Sequence, residues 1–401
     1  MRKIAWMMTL IVTMNAVLVS TAQADSREES LQIKSDSAIV MEASTGKVLY
    51  EKHAKEPMYP ASLTKIATAI YAIENGKLDD IVTVSGNARK VDGTTVFLEK
   101  GEKVRLKKLI QGLLINSGND AGIAIAEHLS GDVKSFAKDL NIYLKEVIGT
   151  EQTNFENPHG LFDENHVTTA EDLAKITQYA MKNDVFMDIF STKEMDWHGK
   201  TWDTTIQTHH KLVKEEIPYK GVTGGKNGFV SQSGYTLATT AERDDLKLIT
   251  VTLKSNVVED AYNDTIKLLD YGFENFTTSS IPKGTTFTFE DQQYATPEKI
   301  VYTHAQNDKL VEKVEVNGVL KMMNQDGEAV DTFQLDEIKK DKPAVAARSS
   351  ENQPSAASIV MERFFSSTYL SIVFFIGVIT IFYFQVRKLR ITRRNRDKFY
   401  F

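Results

Sequence analysis

The sequence predicts an α+β protein: one antiparallel sheet drawn from strands at both ends of a helical middle, then a small all-β module and a C-terminal transmembrane helix. Three observations predict it. Strand-like runs flank a long stretch of apolar residues at three-four spacing, short β-prone runs with turn dipeptides follow, and an uncharged apolar segment of membrane length lies near the end.

In chain order, Arg2 and Lys3, the apolar run Ile4 to Val19 and the triplet Ala22-Gln23-Ala24 read as a secretory signal over 1–24, cleaved after Ala24. The first folded domain is expected over 35–275. Ser37 to Glu42 and Lys47 to Glu51, joined by the turn Ala43-Ser44-Thr45-Gly46, read as a hairpin. From Ser62 to about Phe190 the pattern is mostly helical, with Leu106, Leu109, Ile110, Leu113 and Leu114 on one face. Thr168-Thr169-Ala170-Glu171 reads as a capping box for a further helix. Strands return at Gly234 to Thr240 and Leu246 to Leu253, followed by a helix striped by Tyr262, Ile266, Leu269 and Phe273.

After Phe276 the texture is rich in Thr, Val and Phe, with turns at Asn317-Gly318 and Asp326-Gly327, and predicts a small β-rich domain over 276–340. Residues 341–363, with Pro343, Pro354 and many Ala and Ser, read as a stalk. Phe364 to Phe384 carries no charge and is long enough to cross roughly 30 Å of hydrocarbon. Seven Lys and Arg from Arg387 to Lys398 then mark 385–401 as a cytoplasmic tail, leaving the folded domains outside the membrane.

The 401-residue chain carries a net charge of −6, and without the basic tail and leader the remainder is more acidic still. An acidic ectodomain with no basic patch of interleaved aromatics excludes a nucleic-acid partner. With no cysteine there are no disulfides and no thiolate metal sites. His198, His209 and His210 lack the i, i+4 spacing of a zinc site and read as loop residues. No metal and no cofactor is implied.

The chemistry is carried by three short runs: Ser62-Leu63-Thr64-Lys65 after Tyr59-Pro60-Ala61, then Ser117-Gly118-Asn119, then Lys226-Asn227-Gly228. A serine with a lysine three residues on, at the start of a helix, sets hydroxyl and amine on one face, so the amine can take the hydroxyl proton. The backbone amides there favour a developing oxyanion. Ser135-Phe136-Ala137-Lys138 repeats the spacing but lies inside a helical run, without that setting.

The ordered set resembles the penicillin-recognising serine enzymes. With Asn157-Pro158-His159-Gly160-Leu161 and the 55-residue step from Ser62 to Ser117, it is most similar to the low-molecular-mass penicillin-binding proteins, the D-alanyl-D-alanine carboxypeptidases of serine peptidase family S11. The resemblance implies a β-lactamase/DD-peptidase-like sheet with a helical subdomain over 35–275. It implies Ser62 as nucleophile, Lys65 as base and Ser117 as proton relay. Asn119, Lys226, Asn227, Gly228 and Phe229 would bind substrate, with the Ser62 and Phe229 amides as oxyanion donors. His159 is expected to be a turn or packing residue. The implied partners are peptidoglycan stem peptides, β-lactams as covalent inhibitors, and the membrane through the C-terminal helix.

The departure from the family is Asn227, where Thr or Ser is usual, with Val230 as a second. An amide reaches farther than a hydroxyl and shifts a bound carboxylate. The alternative reading is therefore a weakly active or inactive penicillin-binding protein that contacts the wall. A class A β-lactamase shares the three motifs but adds a Glu-x-x-Leu-Asn pattern, which Glu156-Asn157-Pro158-His159-Gly160 does not match.

Overall fold

A computed structural model describes residues 31–338. The expected signal, stalk, membrane segment and basic tail lie outside the described residues. Among the described residues no helix is long and apolar enough to cross a membrane.

The chain opens with the hairpin β1 (Ser37–Glu42) and β2 (Val48–Lys52). Helix α1 (Thr64–Asn75) follows, then a small hairpin of β3 (Ile81–Thr83) and β4 (Lys103–Arg105). Four helices come next: α2 (Leu106–Leu114), α3 (Asn119–Ser130), α4 (Val133–Tyr143) and, after a long loop, α5 (Ala170–Ala180). A short α6 (Asp184–Phe190) leads into a hairpin of β5 (Glu194–His198) and β6 (Asp203–Gln207). The domain closes with β7 (Val222–Val230), β8 (Gly234–Arg243), β9 (Leu246–Ser255) and α7 (Val258–Asn275).

The principal sheet is antiparallel, in the order β2-β1-β9-β8-β7, so the first and last strands of the domain pair at its centre. All of β1 is buried because both faces are covered. Ile39, Met41, Ile249 and Val251 face the helical core with Leu63, Ile66 and Ile70 of the turn and helix that follow Pro60. Ala38, Val40 and Leu248 face Leu268 and Leu269 of α7 on the other side. The strand order leaves β7 at an edge, which is where a peptide can lie alongside a sheet.

The structure corrects several expectations. The helical middle is interrupted by β3–β4, and the β5–β6 hairpin was not foreseen, because its polar outer residues mask Trp197, which is fully buried. Thr169, not Thr168, caps α5, its side chain accepting from the Asp172 amide at 3.0 Å. Thr168 is instead drawn into a backbone bridge with Met58. In α7 the buried stripe runs through Leu268 and Gly272, with Ile266 and Phe273 at its half-buried margin.

The β-rich region starts directly at the end of α7 with β10 (Phe276–Ile281). It continues through β11 (Thr286–Phe289), β12 (Gln292–Ala295), β13 (Ile300–Ala305), β14 (Val311–Glu315), β15 (Val319–Met323), β16 (Ala329–Gln334) and β17 (Asp336–Glu337). Its small core holds Ile281, Tyr294, Ile300, Tyr302, Leu320 and Met322. Asn317 and Gly318 both have positive φ, as a tight β14–β15 connection requires.

Candidate active site

Pro60 leads into a 3-10 turn over Ala61–Leu63, and α1 starts at Thr64, so Ser62 stands where helix amides point outward. Ala61 is held at φ +47, a left-handed conformation that a non-glycine residue keeps only when its surroundings enforce it. Two hydrogen bonds enforce it: Thr64 Oγ1 donates to Ala61 O at 2.9 Å and Thr236 Oγ1 of β8 donates to Pro60 O at 3.0 Å. Gly160, at φ +86, lies so tightly on Ala61 O that no Cβ fits between them. The nucleophile turn is thus clamped between the sheet and the loop at 157–162.

One turn along, Lys65 Nζ is 2.8 Å from Ser62 Oγ and donates to His159 O, also at 2.8 Å. Ser117 Oγ donates to Ser62 Oγ at 3.2 Å from a residue held at φ +61, ahead of α3. Two strained residues beside one hydroxyl mark a preorganised site. Asn119 opens α3 and its Nδ2 donates to Asp92 O at 2.7 Å. Its neighbour Asp120, a buried carboxylate, accepts from Val96 N and Leu98 N at 2.9 Å, which fixes the 92–98 loop over the start of α3.

The sheet edge supplies the opposite wall. Lys226 is buried and its Nζ donates to Asn227 O at 2.8 Å. A Cβ on Gly228 would lie 2.7 Å from the Ser62 backbone nitrogen, so β7 runs directly against the nucleophile turn. Phe229 is 53% exposed, its ring 4.6 Å from that of Tyr235. Beside them Asn227, Phe229, His209, Lys211 and Tyr262 border a cavity of about 180 Å³.

Electrostatics complete the arrangement. Burial, then the nearby Lys226 ammonium, hold the Lys65 amine well below the usual lysine value, against an upward pull from Asp120. Burial brings Lys226 to about 7. Both amines are buried, which penalises their charged forms, but only Lys65 is also pushed down by its lysine neighbour, so Lys65 is the readier of the two to give up its proton. A neutral amine in contact with a serine hydroxyl can serve as a general base.

The expected pH behaviour follows. The rate of Ser62 acylation rises with pH only while Lys65 loses its proton, so its rising limb should lie well below pH 10.5, the ordinary lysine value. Capture of an anionic ligand through Lys226 should weaken as pH climbs above about 7, unless the ligand holds that proton in place. Measured penicillin acylation that rises only near pH 10.5 would contradict the neutral-base assignment.

Ser62, Lys65 and Ser117 are therefore brought together as the sequence predicts, with Lys226 and Gly228 facing them from β7. His159 is a packing residue on its side chain: Nδ1 accepts from Leu161 N at 3.2 Å, and burial and then Lys65 hold the ring well below its usual pKa. Its carbonyl, which seats Lys65, was missed, as were the clamps made by Gly160 and Asp120. The run Asn157 to Leu161 carried the signal for the His159 carbonyl and Gly160, and Asp120 was marked only by its place after Ser117-Gly118-Asn119. His209 and His210 lie in the loop before β7, but His198 ends strand β5, pulled there by its Nδ1 contact with Asp203 at 2.8 Å. His210 is buried, its Nε2 2.9 Å from Thr239 Oγ1.

Known proteins resemble this chain in sequence and fold. The family profile described as D-alanyl-D-alanine carboxypeptidase matches residues 20–257, more than half of the chain. D-alanyl-D-alanine carboxypeptidase DacF of Bacillus subtilis is 33% identical over 268 residues, covering 65% of this chain and 68% of the relative. DacA of Haemophilus influenzae is 32% identical over 297 residues, covering 69% and 71%. Among solved structures, penicillin binding protein 5 from Haemophilus influenzae superposes with a TM-score of 0.68 at 25% identity, over 77% of this chain and 97% of that one. With the clamped serine, its buried lysine and the apposed edge strand, these matches lead to one statement: the chain belongs to the D-alanyl-D-alanine carboxypeptidase family of serine peptidases, S11.

Proposed function

We propose that this chain removes the terminal D-alanine from peptidoglycan stem peptides through a Ser62 acyl-enzyme. The observation that carries the reading is the 2.8 Å contact of the Lys65 amine, whose charged form burial disfavours, with Ser62 Oγ. Lys65 Nζ takes the hydroxyl proton as Ser62 Oγ bonds to the carbonyl carbon of the penultimate D-alanine. The oxyanion is held by the backbone amides of Ser62 and Phe229. As the C–N bond breaks, the proton passes from Lys65 through Ser117 Oγ to the leaving amine, and D-alanine departs. Water then attacks the ester with Lys65 again as base, and Ser62 recovers its proton.

Asn119 holds the amide of the acyl donor, and Lys226 with Asn227 faces the terminal carboxylate. A β-lactam acylates Ser62 by the same steps, but its ring-opened leaving group stays attached, so the adduct is long-lived. Glu156, the nearest match in sequence to a β-lactamase water-activating carboxylate, is exposed and bonded to Asn154 at 2.8 Å. That supports a slow loss of the penicilloyl group.

The topology of the reading is a protein exported by residues 1–24 and anchored by a transmembrane helix over 364–384, with its catalytic domain (35–275) and β-rich domain (276–340) outside and its basic tail inside. The full chain in detergent, incubated with a diacyl-Lys-D-Ala-D-Ala peptide, should release D-alanine, and pretreatment with benzylpenicillin should stop it with one adduct mapped to Ser62. Labelling of Ser62 without any D-alanine release would defeat the carboxypeptidase reading.

A further inference from the structure

Beside the nucleophile lies an aromatic pair that the reaction steps do not use. Phe162 is 46% exposed, and its ring meets that of Tyr59 edge to face at 5.1 Å. Tyr59 is three residues before Ser62. An exposed phenylalanine on a loop carries no meaning unless the loop is fixed, and this loop is fixed. Pro158 O accepts from Thr68 Oγ1 at 2.8 Å, His159 O accepts from Lys65, Asn157 Nδ2 donates to Leu161 O at 2.9 Å, and Gly160 seats on Ala61. On the far side His166 Nε2 is 2.8 Å from Thr64 Oγ1. The Tyr59 segment is pinned too, through the Met58–Thr168 bridge. The ring pair is therefore presented as a rigid platform, a form in which an aromatic face costs little entropy to use.

Its position tells which part of a substrate it meets. A Cβ built on Gly93 would lie 2.7 Å from Asn119 Nδ2 and 3.7 Å from Leu161 Cδ2, so Leu161, the residue before Phe162, borders the Asn119 amide. Lys226 and Asn227 stand on the other wall, on β7. Phe162 follows Leu161 directly, which sets its loop on the Asn119 side of the site, across from Lys226 and Asn227. Asp163 and Glu164 follow it directly in the chain. The Asp163 carboxylate accepts from Asn165 N at 2.8 Å, so the loop that carries the aromatic face also carries negative charge, a combination that suits an aliphatic chain ending in an ammonium group.

We infer that the Tyr59–Phe162 pair is a specificity subsite for the third residue of the stem peptide, gripping a long, amine-ending side chain such as that of lysine. The inference rests on the carboxypeptidase reading for its choice of ligand. Phe162 is a binding residue here and has no part in the proton transfers.

The test uses full-length parent, Phe162→Ala and Phe162→Tyr with two peptides that differ only in the third residue, acetyl-Lys-D-Ala-D-Ala and acetyl-Ala-D-Ala-D-Ala. Parent and Phe162→Tyr should favour the lysine peptide by about tenfold in kcat/KM, and Phe162→Ala should lose that preference. Benzylpenicillin, which has no third residue, should acylate all three proteins at the same rate within about twofold. Protection of Ser62 from a fluorescent penicillin by each peptide reads the same preference as binding. It therefore decides the subsite even if no D-alanine is released, an outcome that would overturn the activity and not the subsite. A preference for lysine that survives in Phe162→Ala, or a parent with no preference, overturns the inference. So does an equal fall for both peptides and penicillin, which would show that Phe162 only supports the loop.

Discussion

Replacing Lys65 by methionine should slow acylation of Ser62 by penicillin roughly a thousandfold or more, the scale expected when a positioned general base is removed. Methionine fills the same unbranched volume, so α1 and its contacts are retained. What goes is the only amine in contact with Ser62 Oγ among the described residues. Stability should move the other way. A fully buried amine whose pKa is well below the ordinary value must shed a proton on folding at neutral pH, which costs free energy that methionine does not pay.

The sign can be checked by pH. Between the lowered folded pKa and 10.5 the unfolded lysine binds more protons than the folded one, so the parent gains stability as pH rises and the variant lacks that slope. Denaturant melts should therefore show Lys65→Met ahead of the parent at neutral pH, with the gap closing toward pH 10.5. The contact with His159 O is lost in the variant and offsets part of the gain. A variant that still acylates at the parent rate would remove Lys65 from the mechanism, with Ser62→Ala as the unreactive baseline.

Gly228→Ala should reduce acylation by about a hundredfold to a thousandfold, comparable to loss of an oxyanion donor. The strand backbone there has ordinary φ, so alanine brings no torsional penalty. The methyl group is the whole effect: it would stand 2.7 Å from Ser62 N, 2.7 Å from Thr236 Oγ1 and 3.0 Å from Ala61 Cβ. These atoms belong to the Ser62 turn and to the Thr236 side chain that clamps it, and the first is the amide proposed as an oxyanion donor. The edge strand can shift outward to relieve the contact, at a cost of roughly 1–3 kcal/mol in stability. A stopped-flow acylation rate and a thermal melt separate the two effects. Parent-like acylation in a folded Gly228→Ala protein would place the oxyanion elsewhere.

The local part of this design is legible along the chain. Ser62 and Lys65 are three apart at a helix start, Asn317-Gly318 makes a turn by its own backbone preference, and the apolar face of α2 repeats at helical spacing. Each depends on residues a few positions apart, for which sequence distance and spatial distance agree. The capping residue of α5 was misplaced by one because two adjacent threonines offer the same hydroxyl, and only the strand-like bridge from Met58 to Thr168 chooses between them.

What tertiary structure decided is everything that depends on distant partners. The pairing of β1 with β9 closes the sheet and sets β7 at its edge, which brings Lys226 beside a lysine far upstream in sequence. Burial at that junction, and not residue type, disfavours the charged form of Lys65, because removing water penalises an ammonium group. Gly160 on Ala61 O and Asp120 across the 92–98 loop likewise act through contacts between segments that no local pattern connects. The motifs thus name the reacting groups, while their protonation, their strain and the platform beside them arise only when the chain closes on itself.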